Sequence, residues 1–105
     1  MGYEYAFVFD LPLESTQVAR LFHRLQTIHP WLLVQAEEQM ESCLLRYAYA
    51  ASGPISWEED FLLKVSSQEA YLLLHTGTGD QETNVLTWLQ QCTTMLELAG
   101  TLAEL

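Results

Sequence analysis

Positive charge is what this chain has least of. Four basic side chains, Arg20, Arg24, Arg46 and Lys64, stand against fourteen carboxylates in 105 residues, a formal net charge of −10. So acidic a chain is repelled by nucleic-acid phosphates and by anionic lipid, so neither nucleic acid nor a membrane surface is an expected partner. Long apolar runs are missing too. Stretches such as Trp31 to Val34 and Tyr71 to Leu74 are only a few residues long, whereas a bilayer span needs about 20. No basic region precedes an apolar segment near Met1, and position 6 is Ala where a myristoylation signal wants Ser or Thr. With only two cysteines, Cys43 and Cys92, both on apolar faces, two buried free thiols in a reducing compartment are expected, which makes the cytoplasm the expected location.

Catalytic signatures are equally scarce. Gly77-Thr78-Gly79 after a strand and before a helix has the outline of a phosphate loop. It lacks the lysine of a P-loop and the third glycine of a dinucleotide fingerprint, and Asp80 and Glu82 put negative charge where a phosphate would sit. Those two acids are better read as complements to the positive end of the helix. His23, His29 and His75 have no ligand spacing, and there is no paired Cys/His set or nucleophile elbow. His29, just before Pro30, is placed to meet the C-terminal end of the preceding helix. No metal, no cofactor and no enzymatic activity are expected.

What the chain does have is half its residues apolar and 17% charged, the composition of one globular domain. Residues 60 to 76 are its centre: two apolar runs flank Ser66-Ser67-Gln68-Glu69, a polar break of hairpin length. Phe61, Leu63 and Val65 point one way, Leu62 and Lys64 the other. Tyr3 to Phe9 alternates, with Tyr3, Tyr5, Phe7 and Phe9 on one face and Glu4, Ala6 and Val8 on the other. Val18, Leu21, Phe22, Leu25 and Ile28 form a helical stripe, capped at Ser15 or from Leu13-Glu14 and stopped by His29-Pro30. Trp31 to Glu37 and Ser42 to Ala50 read as a hairpin closed by Glu38 to Glu41. Ser52-Gly53-Pro54 is the clearest loop, and a fourth strand starts between Ser56 and Asp60. A final helix from Glu82 or Thr83 carries Val85, Trp88, Leu89, Cys92, Leu96 and Ala99, widened by Leu86, Met95, Leu98 and Leu102. So apolar a helix must bury more than one side or offer one to another chain.

The expected architecture is a two-layer α+β domain, a five-stranded and mostly antiparallel sheet with two helices in the order β-α-β-β-β-β-α. The first and second strands, joined through a helix, should run parallel. The aromatic alternation resembles a stacking platform for single-stranded nucleic acid, but the scarcity of Lys and Arg favours a core face. The topology also places charge. Asp10, Glu14, Glu37, Glu38, Glu41, Glu69, Glu97 and Glu104 should collect at one end of the sheet, and Glu58, Glu59, Asp60, Asp80 and Glu82 at the other.

The expected function is a non-catalytic acidic protein-binding module, an inhibitor or immunity or antitoxin-like protein that neutralises a partner with a basic surface. Glu37, Glu38, Glu41 and Glu69 at the hairpin tips are the candidate contacts. One alternative is a small-ligand site or minor enzyme with His75, Tyr71 and Glu58 lining a pocket between the C-terminal helix and the sheet. Another is an assembly subunit, secretion chaperone or homodimer, joined through that helix or through the sheet face.

Overall fold

A computed structural model of the protein describes residues 3–27, 29–39, 42–49, 60–75 and 79–105. The alternating first stretch is β1 (Tyr3–Phe9), and the amphipathic stretch after Pro12 is α1 (Ser15–Thr27). Two hairpins follow, β2 (Leu32–Glu38) with β3 (Ser42–Ala48) and β4 (Phe61–Ser66) with β5 (Glu69–Leu74). Then come α2 (Gly79–Met95) and β6 (Gly100–Glu104). The six strands form one sheet in the order β2-β3-β4-β5-β1-β6, every neighbouring pair antiparallel. The α+β class is as expected. Among the described residues the sheet has six strands rather than five, and no parallel pair.

β1 and β2 do run in the same direction, as a strand–helix–strand crossover requires, but β5, β4 and β3 lie between them. The local alternation that defines each strand carries no information about which distant strand it will meet. Both helices pack on one face. There Tyr5, Phe7, Phe9, Leu45, Tyr47, Phe61, Leu63, Val65, Leu72 and Leu74 are buried against Leu21 and Leu25 of α1 and Val85, Trp88, Leu89 and Cys92 of α2. The aromatic face is therefore core, although Tyr3 at its end is 43% exposed. Tyr47 stacks on Phe61 at 5.0 Å, and Trp31 and Trp88 meet that pair edge-on. Trp31 precedes β2 rather than belonging to it. Both thiols are free and buried.

The cap of α1 is Glu14. Its carbonyl accepts from the N–H groups of Gln17 and Val18, both at 3.0 Å, and its own N–H donates to Gln17 Oε1 at 2.8 Å. Gln17 thus supplies the N3 half of a capping box, its side chain returning to the cap N–H, while the Glu14 carboxylate makes no reciprocal bond. At the other end His29 turns both ring nitrogens to carbonyl oxygens, Nδ1 to Trp31 at 2.8 Å and Nε2 to Gln26 at 2.9 Å, so it does meet the helix C-terminus.

The C-terminal segment departs most from its sequence pattern. α2 stops at Met95, and Glu97 takes the left-handed conformation (φ 58°). Leu98 N–H returns to Thr93 O at 2.9 Å and Glu97 N–H to Thr94 O at 3.0 Å, which is the paired closure of a Schellman motif. The chain then re-enters the sheet as β6, paired to β1 from Phe9↔Gly100 to Tyr5↔Glu104. Leu98 is buried and Leu102 packs half-buried against the core from β6, so most of the apolar surplus read onto the last helix is absorbed within the domain, with Met95 left 59% exposed.

Gly100 makes that re-entry possible. A Cβ there would lie 2.4 Å from Val8 O and 2.6 Å from Phe7 Cε1, and the first of these is backbone that cannot swing away. Gly100→Ala should therefore cost about 2 kcal/mol or more in chemical denaturation, within the range for overpacking at a buried backbone contact. An effect under about 0.5 kcal/mol, the size of an ordinary surface change, would show that β6 does not hold this register in solution.

Candidate functional site

The end of the sheet where β1 finishes, α1 begins, both hairpins close and α2 terminates is where the carboxylates gather. Asp10 and Glu14 flank the β1–α1 connection, Glu37 and Glu38 end β2, Glu69 opens β5 and Glu97 closes α2. All but Glu69 are exposed. Asp10 N–H bonds Ala99 O at 3.0 Å and Leu13 N–H bonds Ser67 O at 2.7 Å, so the β1–α1 connection is tied both to the turn after α2 and to the β4–β5 tip. None of Arg20, Arg24, Arg46 and Lys64 belongs to the turns or element ends that make up this tip.

Two recesses open between these segments. One of about 570 Å³ lies between the start of α1 and the two hairpin tips, lined by Leu13, Ser15, Glu38, Ser42, Cys43 and Gln68 among others. The other, about 340 Å³, lies between the β1–α1 connection and the end of α2, with Asp10, Glu14 and Glu97 at its wall. Leu11 stands beside the second recess and is 77% exposed. An apolar side chain ringed by carboxylates has the composition of a small protein contact.

The two ends of the sheet use their acids differently. Away from the tip, Asp60 accepts the Tyr49 N–H at 2.7 Å, and Glu82 on α2 accepts the Tyr5 hydroxyl. Asp80 and Glu82 occupy the first turn of α2, as its dipole favours. Asp60 and Glu82 are thus spent on the fold. At the tip, among the described residues, the carboxylates of Asp10, Glu14, Glu38, Glu69 and Glu97 accept no hydrogen bond and form no ion pair, while Glu37 meets only Gln35 Nε2 at 3.5 Å.

The four expected contact residues are only partly brought together. Glu37 and Glu69 share the face of the sheet away from the helices, three strands apart, or about 14 Å at 4.8 Å per strand. Glu38 lies on the helix side and lines the larger recess. Glu41 lies outside the described residues, as do Glu58, Glu59 and the loop at 52–54. Glu104 is not at the tip, because β6 carries it back down the sheet to face Tyr5. The exposure of Leu11 had one sequence signal, an apolar residue caught between a strand end and Pro12.

The pocket sketched from His75, Tyr71 and Glu58 does not assemble. Tyr71 lies on the face away from α2, where its hydroxyl donates to Glu4, and Glu58 lies outside the described residues. A recess of about 730 Å³ does adjoin α2, but Trp31, Trp88, His29 and Gln91 line it. Among the described residues no group of three or more His, Cys, Asp or Glu is placed to hold a metal, and no helix is long and apolar enough to cross a membrane. No protein-family model, curated protein or solved structure matches the chain.

One thiol reports on the larger recess. Burial, and secondarily the neighbouring Glu38 carboxylate, push Cys43 above the ordinary thiol range. A raised pKa keeps it protonated and unreactive at neutral pH, because the thiolate is the nucleophile. Alkylation of the native protein at pH 7.5 should be slow, speed up as pH rises, and be faster in Glu38→Gln, in a Cys92→Ser background that isolates the site. If Glu38→Gln leaves the rate unchanged, Glu38 does not lie over the recess.

Proposed function

We propose that the protein is a non-catalytic binding module whose acidic tip receives a basic segment of another protein, the mode of action of an inhibitor or immunity-type neutraliser. The observation that supports this reading is the contrast between the two ends of one sheet. Asp60, Glu82 and Glu4 at one end accept hydrogen bonds, while Asp10, Glu14 and Glu97 at the tip are exposed, unspent and grouped around the exposed Leu11. Asp10, Glu14 and Glu97 at one recess and Glu38 at the other keep a local negative potential that salt screens beyond about 8 Å, so their effect falls on contact and on the final approach. The two recesses are wide enough to take lysine or arginine side chains between Glu38 and Ser15 or between Asp10 and Glu97.

The test is kinetic. A basic partner captured from the native cell should bind more slowly to Asp10→Lys/Glu38→Lys/Glu97→Lys than to the unmodified chain, by about tenfold in association rate at low salt. Reversal of Asp80 at the opposite end should change it little. Equal losses from both ends, or binding indifferent to salt, would remove the electrostatic basis of the proposal.

Glu97 offers a second, independent handle. A non-glycine residue in the left-handed region costs about 1–2 kcal/mol, a strain that is kept where something else requires the side chain. Glu97→Gly should raise stability by about 0.5–1 kcal/mol in chemical denaturation while weakening partner binding. A variant that gains stability and binds as before would take Glu97 out of the contact.

A further inference from the structure

Strand register sets which residues share the face of the sheet away from the helices. Two adjacent rows run across it: Gln35, Arg46, Leu62, Leu73 and Glu4 in one, and Glu37, Leu44, Lys64, Tyr71, Ala6 and Ala103 in the next. Leu44, Arg46, Leu62, Leu73 and Tyr71 are half-buried, Ala6 is buried beneath its neighbours, and Lys64 and Glu4 are exposed. Two of the four basic residues of a chain with net charge −10 sit on this face. Their positions are not arbitrary. A line drawn along the strands midway between β4 and β5 has Leu62 and Leu73 as mirror partners, then Lys64 and Tyr71, then Arg46 and Glu4, each of the last two 1.5 strands or about 7 Å from the line.

We infer that this face binds a second copy of the chain, the two sheets packed face to face about a two-fold axis along that line. Rotation about such an axis lays each position on its mirror partner in the other copy. Leu62 then meets Leu73, Lys64 lies over the ring of Tyr71, and Arg46 faces Glu4, with every contact made twice. A two-fold axis across the strands instead puts Arg46 on Leu44 and Lys64 on Leu62, burying two cations against leucine at a cost the first arrangement avoids. Strands crossing near the angle of about 30° set by sheet twist keep these partners within side-chain reach. Six strands about 4.8 Å apart and about 20 Å long offer roughly 600 Å² per copy. The pair thus buries about 1,200 Å², the lower edge of stable interfaces, so a reversible dimer rather than a permanent one follows.

Sedimentation of the whole protein over a wide concentration range should show a monomer–dimer equilibrium with a dissociation constant on the order of 10 µM, as expected for an interface at the small end of the range. Leu73→Lys and Lys64→Glu should each weaken it at least tenfold with thermal midpoints retained. The discriminating arm is a charge swap. Arg46→Glu alone sets two like-charge contacts in its homodimer, and so does Glu4→Lys alone, yet an equimolar mixture of the two should form a heterodimer as tight as the original. If Arg46→Glu does not fold, the Leu73 and Lys64 variants carry the same readout. A monomer at all concentrations, a dimer insensitive to these variants, or single variants whose mixture fails to recover association would overturn the inference.

Discussion

The burial of Tyr47 is the constraint from which the rest of the domain follows. Its ring is fully buried in the middle of the helix-facing side of the sheet, stacked on Phe61 and met edge-on by Trp31, Trp88 and His29. A phenol there must still satisfy its hydroxyl. It donates to the carbonyl of Leu25 in the last turn of α1, one of the acceptors a helix end leaves without an internal partner. One bond thus fixes the position and depth of α1 over the sheet. Burial also pushes the Tyr47 hydroxyl above its ordinary range, keeping it protonated and able to donate.

From that anchor the placement of charge follows by connectivity. α1 must start at the end of the sheet where β1 finishes and deliver the chain to β2 at the opposite end. Both hairpins then turn at the first end, and α2 rises back to it. Acidic turns that are far apart in sequence become neighbours through backbone hydrogen bonds in which their carboxylates take no part. The core supplies the energy that gathers them, since exposed carboxylates at close range only repel. A cost borne by the fold without a compensating bond is a feature that structural requirements alone do not explain.

Much of this was legible locally. The alternation in β1, the apolar stripe of α1 and the Ser66–Glu69 turn each express a period that short sequence carries. What was illegible was non-local or conformational. Nothing in β1 says that β5 and β6 will be its neighbours. Leu98 and Leu102 continue the three-and-four spacing of α2, so periodicity extends the helix through them. The break lies instead in the backbone of Glu97, a residue type that does not advertise a left-handed turn. Gly100 was visible as punctuation, but its reason is an approach to Val8 across the sheet rather than a helix stop. The tip carboxylates were readable as a group because topology alone places them. Glu104 escapes that grouping, because the spacing of Leu98 and Leu102 reads as helix where the chain forms β6.

The two proposed surfaces are coupled by geometry. A two-fold axis along the strands preserves direction, so both acidic tips of a dimer point the same way. They lie on sheets about 10 Å apart, close to the screening length at physiological salt. Their mutual repulsion opposes dimer formation. A basic partner that neutralises the tips removes that repulsion, and by reciprocity the dimer then binds the partner more tightly than the monomer does. Added salt acts in two opposing ways, weakening the Arg46–Glu4 contacts while shielding the tips. On these two proposals the module is charge-gated, assembled most readily where positive charge is already present.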